Sequence, residues 1–363
     1  MQVVDFDALE AAGVGNARGR AGLIEYLDGL GFTTEEMVDA ESRGRLFALC
    51  GDALQCSGRP TYSLRTAADA LGVAVDDVAH AWAALVLTVA GLDHLALSQA
   101  DVDALATWVG IRQEWGDDAA FGLLRVLGAS MARLAEAEST MIRAGKRDIR
   151  ITDTGDELAN AQAYRAAVEL IPRIGVMIDA VHRNHLGGAR TYLEGIVRGE
   201  SADMVCGIGF ADLSGFTELT QVLTPGELSA LLIEFNATVT DVVNSLGGRV
   251  VKFIGDEVMW VSSTPELLAK AAVDLVEHPK AREAGLQFRA GLGYGEVLAI
   301  NGDYFGNAVN LAARLVAAAA PRQILAAPAL YDALPQWPAT VQDPLTLKGF
   351  NAPITAYALR RGR

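Results

Sequence analysis

The chain has 363 residues, 51% of them apolar, and 45 acidic against 30 basic residues, for a formal net charge of −15. That length predicts about two domains of roughly 150 residues each, and the apolar content argues against a disordered chain. The negative charge argues against a general binder of DNA, RNA or anionic membranes, because most of the surface would repel these polyanions. Residues 1–202 carry 29 acidic and 18 basic residues, whereas residues 203–363 carry 16 and 12, so the second half suits a phosphate-bearing ligand better.

The three cysteines, Cys50, Cys56 and Cys206, are an odd number without metal-type spacing, which predicts reduced thiols. The first residues include no basic segment of the kind that begins a secretory signal. The longest apolar run, residues 81–92, is far shorter than the roughly 20 residues of a membrane-spanning helix. We therefore expect a cytoplasmic protein without a membrane span.

Residues 1–186 predict an all-α domain, because apolar residues recur three and four positions apart, as on amphipathic helices. Thr33 and Ser98 begin sequences typical of helix N-caps. The polar run 146–155 breaks the pattern and predicts a loop. A long helix is predicted over 157–185.

The end of this helical half contains the residues that are expected to interrupt helices. Pro172 is the expected position of a bend in the long helix. The glycine pair 187–188 is predicted to end that helix, with a short separate helix over 189–197. We interpret residues 187–202 as a linker helix or switch.

Residues 66–78 have the helix–glycine–helix look of some DNA-binding units. The second helix, however, carries Asp76 and Asp77 where contacts to phosphates would need Lys or Arg. A helical hairpin within a bundle is therefore the favoured interpretation, and no nucleic-acid partner is expected.

Beyond residue 202 the pattern changes to short apolar runs that alternate with amphipathic helices. The predicted elements are strand 204–211, helix 225–246, strands 249–254 and 257–262, helix 265–278, strand 287–294 and helix 307–319. The order βαββαβ predicts a ferredoxin-like α+β domain over residues 203–361.

Two carboxylates lie at the ends of predicted strands in this half. Asp212 follows the first strand in Phe-Ala-Asp-Leu-Ser-Gly-Phe-Thr, and Asp256 lies in the turn of Lys-Phe-Ile-Gly-Asp-Glu. Neighbouring carboxylates can hold hard divalent ions, and Mg²⁺ prefers a few carboxylates together with substrate phosphate oxygens. The backbone N–H groups of residues 213–217 open a turn or helix, which suits phosphates. Taken alone, either Asp is more often a turn or cap residue.

These two blocks, followed by Asp-x-x-Gly-x-x-x-Asn-x-x-x-Arg at residues 303–314, resemble the catalytic domain of class III adenylyl cyclases. The resemblance implies conversion of ATP to 3′,5′-cyclic AMP and pyrophosphate, with two divalent cations, Mg²⁺ or Mn²⁺, in each site. It implies that Asp212, Asp256 and the Leu213 carbonyl are the metal ligands. It also implies an all-α regulatory domain followed by an α+β class III cyclase domain.

The resemblance further implies individual roles for residues outside the metal site. Arg314 would stabilise charge on the α-phosphoryl group and Asn310 would orient the ribose, while Lys252 and Asp303 would read adenine. The residues implied at the triphosphate are Leu213, Ser214, Gly215, Phe216, Thr217 and Lys348. For Lys348 a solvated turn lysine is the equal alternative, and for Arg314 the ordinary alternative is a helix-surface arginine.

Family geometry implies a head-to-tail homodimer, because the metal-binding Asp residues and the other four site residues come from opposite domains. Only five residues, 298–302, lie between the Gly-Glu-Val segment 295–297 and Asp303. This short connection resembles the short-armed bacterial subclass.

The helical first half resembles the regulatory, autoinhibitory region of soluble mycobacterial-type adenylyl cyclases. His182 and His185 lie directly before the predicted linker, so proton sensing is one hypothesis for the effector. An apolar ligand such as a fatty acid is equally open, and so is the alternative that these histidines have no regulatory role.

Four other functions remain as alternatives. A diguanylate cyclase is disfavoured by Ile254 and by the presence of the base- and ribose-reading residues. A catalytically silent nucleotide-binding switch, or a purine cyclase of other base specificity, would keep the same fold. A purely helical scaffold would leave the carboxylate, Lys/Asp and Asn/Arg motifs without a reason.

Overall fold

The computed structural model describes residues 4–145, 156–196, 203–279 and 286–361. The chain divides after Asn184 into two compact units. The predicted loop 146–155 lies outside the described residues, as do residues 197–202 of the predicted linker. In the described residues, no helix is both long enough and apolar enough to cross a membrane.

The described part of the first unit is helical. Its helices are α1 (Phe6–Ala12), α2 (Ala21–Gly29), α3 (Thr34–Ser42), α4 (Leu49–Gln55), α5 (Leu64–Leu71), α6 (Val75–Ala84), α7 (Gln99–Trp115), α8 (Asp117–Gly145), α9 (Glu157–Val168) and α10 (Ile171–Ile196). The predicted N-caps Thr33 and Ser98 both form capping boxes, with Glu36 and Asp101 as their reciprocal partners. One apolar core joins α1–α4 with α9, and a second joins α5–α8.

The predicted single helix over 157–185 is wrong, because two residues, Glu169 and Leu170, separate α9 from α10. Pro172 lies in the first turn of α10, where backbone N–H groups have no partner within the helix. Its missing N–H therefore costs no helical hydrogen bond, and the proline marks a helix start where a bend was predicted. The predicted interruption at Gly187 and Gly188 is also wrong, because α10 continues to Ile196. Neither glycine has the positive φ that often ends a helix. A glycine within a helix lowers its stability by only about 1 kcal/mol relative to alanine.

The helix–glycine–helix segment is a packed hairpin of the bundle. Gly72, with φ 68°, takes the left-handed conformation after α5 and lets the chain turn into α6. Asp77 on α6 accepts a hydrogen bond from Arg112 Nη1 of α7 at 2.6 Å. The apolar face of α6 is buried with α5, α7 and α8 in one core. These contacts support the helical-hairpin interpretation.

The second unit is built on a mixed eight-stranded sheet. Its strands are β1 (Asp203–Ser214), β2 (Arg249–Ile254), β3 (Glu257–Ser262), β4 (Gln287–Ile300), β5 (Asp303–Phe305), β6 (Ile324–Ala326), β7 (Ala339–Val341) and β8 (Tyr357–Leu359). The spatial order is β2-β3-β1-β4-β6-β8-β7, with β5 paired to β4. Among the described strands, β4 and β6 pair in parallel and the other pairs are antiparallel.

Helices cover both faces of this sheet. They are α11 (Phe216–Val222), α12 (Pro225–Ser245), α13 (Pro265–Val276), α14 (Asn307–Ala318) and α15 (Pro328–Asp332). Side chains alternate across β3, so Val258 and Trp260 pack with α12 and α13, whereas Met259 and Val261 pack with α14. The predicted bounds of β2 and β3 are confirmed, but β1 and β4 are longer than predicted. The short strands β5–β8 were not predicted.

Two glycines of β4 let α14 lie directly on the sheet. A Cβ atom added at Gly291 would lie 2.2 Å from the Val316 nitrogen and 2.3 Å from the Ala312 oxygen. A Cβ atom at Gly293 would lie 2.4 Å from the Ala308 oxygen. These are backbone atoms, so a side chain here would displace the whole helix.

We expect Gly291→Ala to lower the free energy of unfolding of the second unit by about 2–3 kcal/mol, because the methyl group overpacks the β4–α14 contact. Urea denaturation followed by circular dichroism measures this loss. Gly226→Ala is the matched control, since no atom lies within 4 Å of its added Cβ on α12. Equal unfolding midpoints for the two variants would contradict this account of the packing.

Candidate active site

Asp212 and Asp256 are brought together at one end of neighbouring strands. Asp212 lies near the end of β1, opposite Glu257 of β3 and Arg289 of β4. Asp256 occupies the turn between β2 and β3, which Gly255 allows by its φ of 65°. The sequence folds in this way because an apolar hairpin with a glycine turn pairs along β1.

The electrostatics of this end of the sheet reflect crowded carboxylates. Burial, and then a hydrogen bond with Asp212, raises the pKa of Asp256 to about 6. Burial, followed by the charges of Asp212 and Asp256, also raises the pKa of Glu257. Two such adjacent carboxylates favour a bound cation, and their oxygens are the donors that Mg²⁺ prefers. Asp212 and Asp256 therefore fit a divalent metal ion, which they would hold together with the Leu213 carbonyl.

Arg289 is a site residue that the sequence analysis missed. Its Nε donates to Asp212 Oδ2 at 2.8 Å, and its Nη2 contacts the same oxygen. The Asp212 side chain is 16% exposed and that of Arg289 is 29% exposed, so the ion pair is well shielded from solvent. The residues are 77 positions apart, and only the β1–β4 register brings them together.

Lys252 and Asp303 form the second predicted group. Lys252 Nζ donates to Asp303 Oδ2, and the Tyr304 backbone N–H donates to Asp303 Oδ1 at 2.8 Å. Both side chains are partly exposed, at 36% for Lys252 and 29% for Asp303. The pair presents a cationic donor and an anionic acceptor side by side.

A β-bulge determines the face on which Lys252 lies. Val250 pairs with Trp260, and Lys252 pairs with Met259, the residue beside Trp260 on the antiparallel strand β3. Val251 is therefore the extra residue of β2. Because side chains alternate along a strand, the bulge brings Lys252 to the α14 face of the sheet. In a regular register without the bulge, Lys252 would pair with Val258 and face α12 and α13.

Asn310 and Arg314 lie one turn apart on α14, and both are exposed. Arg314 Nε donates to the Lys348 carbonyl oxygen at 3.1 Å. This hydrogen bond joins the helix to the segment of Lys348, whose side chain is exposed. Backbone and helix geometry thus present two polar side chains to solvent on one helix face.

Five of the six predicted triphosphate-binding residues, 213–217, lie at the junction between β1 and α11. Gly215 takes a φ of 82° at the N-cap position, and α11 begins at Phe216. No side chain caps this N-terminus. Within the described part of the chain, the Ser214 hydroxyl is buried and has no hydrogen-bond partner. The first N–H groups and this hydroxyl are donors of a kind that suits an anion, and phosphate binding at residues 213–217 stays a prediction.

Comparison with known proteins agrees with these motifs. The family model described as "Adenylate and Guanylate cyclase catalytic domain" matches residues 197–361. An adenylate cyclase of Streptomyces coelicolor is 31% identical over 271 residues, which cover 73% of this chain and 69% of that protein. A pH-sensitive adenylate cyclase of Mycobacterium tuberculosis is 28% identical over 256 residues, covering 66% and 62%.

Two further comparisons extend this finding. An uncharacterized Mycobacterium tuberculosis protein is 68% identical over 356 residues, which cover 98% of this chain and 94% of that protein. The crystal structure of the adenylyl cyclase CyaB from P. aeruginosa is 26% identical, with a TM-score of 0.40, and covers 44% of this chain and 96% of that one. On the strength of the family model and the Streptomyces relative, the chain belongs to the adenylate and guanylate cyclase family, the class III cyclases.

Proposed function

We propose that the protein is an adenylyl cyclase, which converts ATP to 3′,5′-cyclic AMP and pyrophosphate. The observation that carries this proposal is the Lys252–Asp303 ion pair, in a cyclase domain whose Asp212 and Asp256 lie together. Relatives named adenylate cyclase, at about 30% identity, support it. The proposed domain has the ferredoxin-like βαββαβ core over residues 203–361.

The base preference follows from hydrogen-bond chemistry. Adenine presents an acceptor at N1 and donors at N6, so its site needs one donor and one acceptor. Lys252 supplies the donor and Asp303 the acceptor. Guanine reverses this pattern, and each buried group left unpaired would cost about 1–3 kcal/mol.

The reaction is an in-line attack of the ribose 3′-OH on the α-phosphorus, with pyrophosphate as the leaving group. Two bound cations, Mg²⁺ or Mn²⁺, would lower the pKa of that hydroxyl and neutralise the charge of the triphosphate. Asp212, Asp256 and the Leu213 carbonyl would hold them. Asn310 orients the ribose, and Arg314 stabilises the negative charge that develops on the α-phosphoryl group.

The triphosphate has donors from several elements in this proposal. Ser214 offers its buried hydroxyl, and residues 215–217 offer backbone N–H groups at the start of α11. Arg289, which pairs with Asp212, would be a further donor to phosphate oxygens if a bound cation took its place at that carboxylate. We assign the exposed Lys348, in the segment that Arg314 contacts, to the terminal phosphates.

We further propose that two chains form each site. Asp212 and Asp256 come from one domain of a head-to-tail homodimer, and Lys252, Asp303, Asn310 and Arg314 come from its partner. A two-fold symmetric pair then holds two equivalent sites, and the monomer is inactive. The exposure of Asn310 and Arg314 supports this arrangement, because both are free to meet a substrate held by the other domain.

The direct test incubates the full chain with ATP or GTP, and with Mg²⁺ or Mn²⁺, and separates the products by chromatography. We expect cyclic AMP from ATP, and GTP to be the poorer substrate. Better turnover of GTP would overturn the base assignment and favour a cyclase of other specificity. No product from either nucleotide would favour the catalytically silent switch.

We also propose that the helical unit regulates the cyclase and that α10 takes part, because the division between the units falls within this helix. His182 and His185 are exposed on α10, beside the Arg183–Asp179 ion pair of the same helix. Proton sensing by these two side chains is our hypothesis for the effector.

If these histidines sense protons, we expect His182→Gln with His185→Gln to change the ratio of activity at pH 6 to that at pH 8 by about twofold or more. The measurement is cyclic AMP formation by the full chain from pH 5.5 to 8.5. His94→Gln, at another exposed histidine of the helical unit, is the control. Superimposable profiles for the double variant and the unmodified chain would rule out this sensor and leave an apolar ligand as the alternative.

A further inference from the structure

Strand β5 carries Asp303 but is held in the sheet by few backbone contacts. It has three residues and pairs only with the end of β4, through Leu298, Ala299 and Ile300. Asn301 and Gly302 form the turn, with φ of 53° and 80°, as in a tight hairpin. A three-residue strand at the end of a hairpin is weakly held, so side-chain contacts determine where Asp303 lies.

Two such contacts join β5 to β2, which lies three strands away from β4 in the sheet. Lys252 of β2 contacts Asp303, as described above. Arg249, the first residue of β2, contacts the next residue of β5: its Nη2 donates to the Tyr304 hydroxyl oxygen at 2.6 Å. Its guanidinium carbon also lies 5.5 Å from the centre of the Tyr304 ring.

Tyr304 is suited to transmit this contact to Asp303. Its side chain is only 5% exposed and packs between the sheet and α14, in the core that includes Met259 and Val261. A buried tyrosine hydroxyl needs a hydrogen-bond partner, and Arg249 provides one. The backbone N–H of Tyr304 also donates to Asp303 Oδ1, so the position of Tyr304 directly orients the carboxylate.

We propose that Arg249 and Tyr304 are positioning residues that hold Asp303 against Lys252 and thereby set the preference for ATP over GTP. This inference rests on the proposed function, in which Lys252 and Asp303 read the base. Neither positioning residue touches the substrate. With the Arg249–Tyr304 bond broken, β5 is free to shift, and the donor–acceptor pair loses the alignment that matches adenine and rejects guanine.

The test uses the full chain with Tyr304→Phe, which removes one oxygen from the core, and Arg249→Met at the exposed end of the same bond. KM for ATP, kcat, and the inhibition constant of GTP as a competitor are measured for each. We expect the ratio of the GTP inhibition constant to KM for ATP to fall about 5- to 10-fold, with kcat at saturating ATP within about twofold. The double variant, Arg249→Met with Tyr304→Phe, should show no larger fall in this ratio than either single variant, because both substitutions break the same hydrogen bond.

Tyr331→Phe and Arg361→Met are matched controls in the same unit. Tyr331 stacks on Tyr357, and Arg361 pairs with Glu277, and both of these partners lie outside β2 and β5. The controls should keep the ratio of the unmodified chain. A general loss of stability would lower turnover of any nucleotide without changing this ratio, so the ratio separates positioning from folding.

The outcomes distinguish this inference from the proposed function. If the unmodified chain does not turn over ATP, or binds GTP as well as ATP, the proposed function fails. If it prefers ATP and Arg249→Met keeps that preference, the positioning role alone is overturned. If Tyr304→Phe unfolds the protein, Arg249→Met still tests the inference, because Arg249 is exposed and its replacement should leave the fold intact. Multiplicative effects in the double variant would also overturn the inference, because the two residues would then act independently.

Discussion

Arg314→Ala is expected to lower kcat for cyclic AMP formation by about 10³- to 10⁵-fold, the range that an arginine at a transferred phosphoryl group typically supplies. KM for ATP should change much less, because the interaction is made mainly in the transition state. The measurement is steady-state cyclic AMP formation by the full chain at saturating ATP with Mn²⁺.

The free protein should tolerate this substitution. Arg314 is exposed, and among the described residues its guanidinium donates to the Lys348 carbonyl, so the thermal unfolding midpoint should remain close to that of the unmodified chain. Arg361→Ala, at an exposed arginine paired with Glu277, is the control and should keep full activity. A loss of less than tenfold in Arg314→Ala would show that the side chain is an ordinary surface arginine.

Asp212→Asn alone is expected to be inactive, but mixing it with Arg314→Ala should restore about a quarter of the activity of the unmodified chain. Random exchange of subunits makes half of the dimers mixed, and each mixed dimer has one site with both Asp212 and Arg314 intact. The measurement is cyclic AMP formation after the two variants are unfolded together and refolded, or expressed together.

The matched control for complementation is Asp212→Asn mixed with Asp256→Asn. Both substitutions lie in the same half of the shared site, so neither site of a mixed dimer has both carboxylates. One of the two sites in that dimer lacks Asp212 and the other lacks Asp256, and no activity should return. Equal recovery in both mixtures, or none in dimers shown to be mixed, would contradict the shared site.

Much of the catalytic half could be predicted from local pattern. The hairpin of β2 and β3 has its predicted bounds, because an apolar run on each side of Gly255 and Asp256 specifies both strands and their turn. That hairpin is what brings Asp256 to Asp212. The capping boxes at Thr33 and Ser98 were likewise predicted, since a cap depends on residues within one turn of the chain.

The errors arose where a local signal competes with context. Gly187 and Gly188 lie within α10, because glycine only weakens a helix and the flanking residues continue it. Pro172 begins a helix, because a proline in the first turn has no hydrogen bond to break. Strands β6, β7 and β8 have three residues each, too few to show an alternating pattern.

By itself, the sequence determined the helical and the mixed halves, the two carboxylates at strand ends and the spacing of Asn310 and Arg314, since these depend on residues near one another in the chain. Only the tertiary structure decided that Arg289 pairs with Asp212, that Val251 turns Lys252 toward Asp303, and that Arg249 reaches Tyr304. Each of these depends on strand register, and register is set by which distant strands pair and which faces they bury.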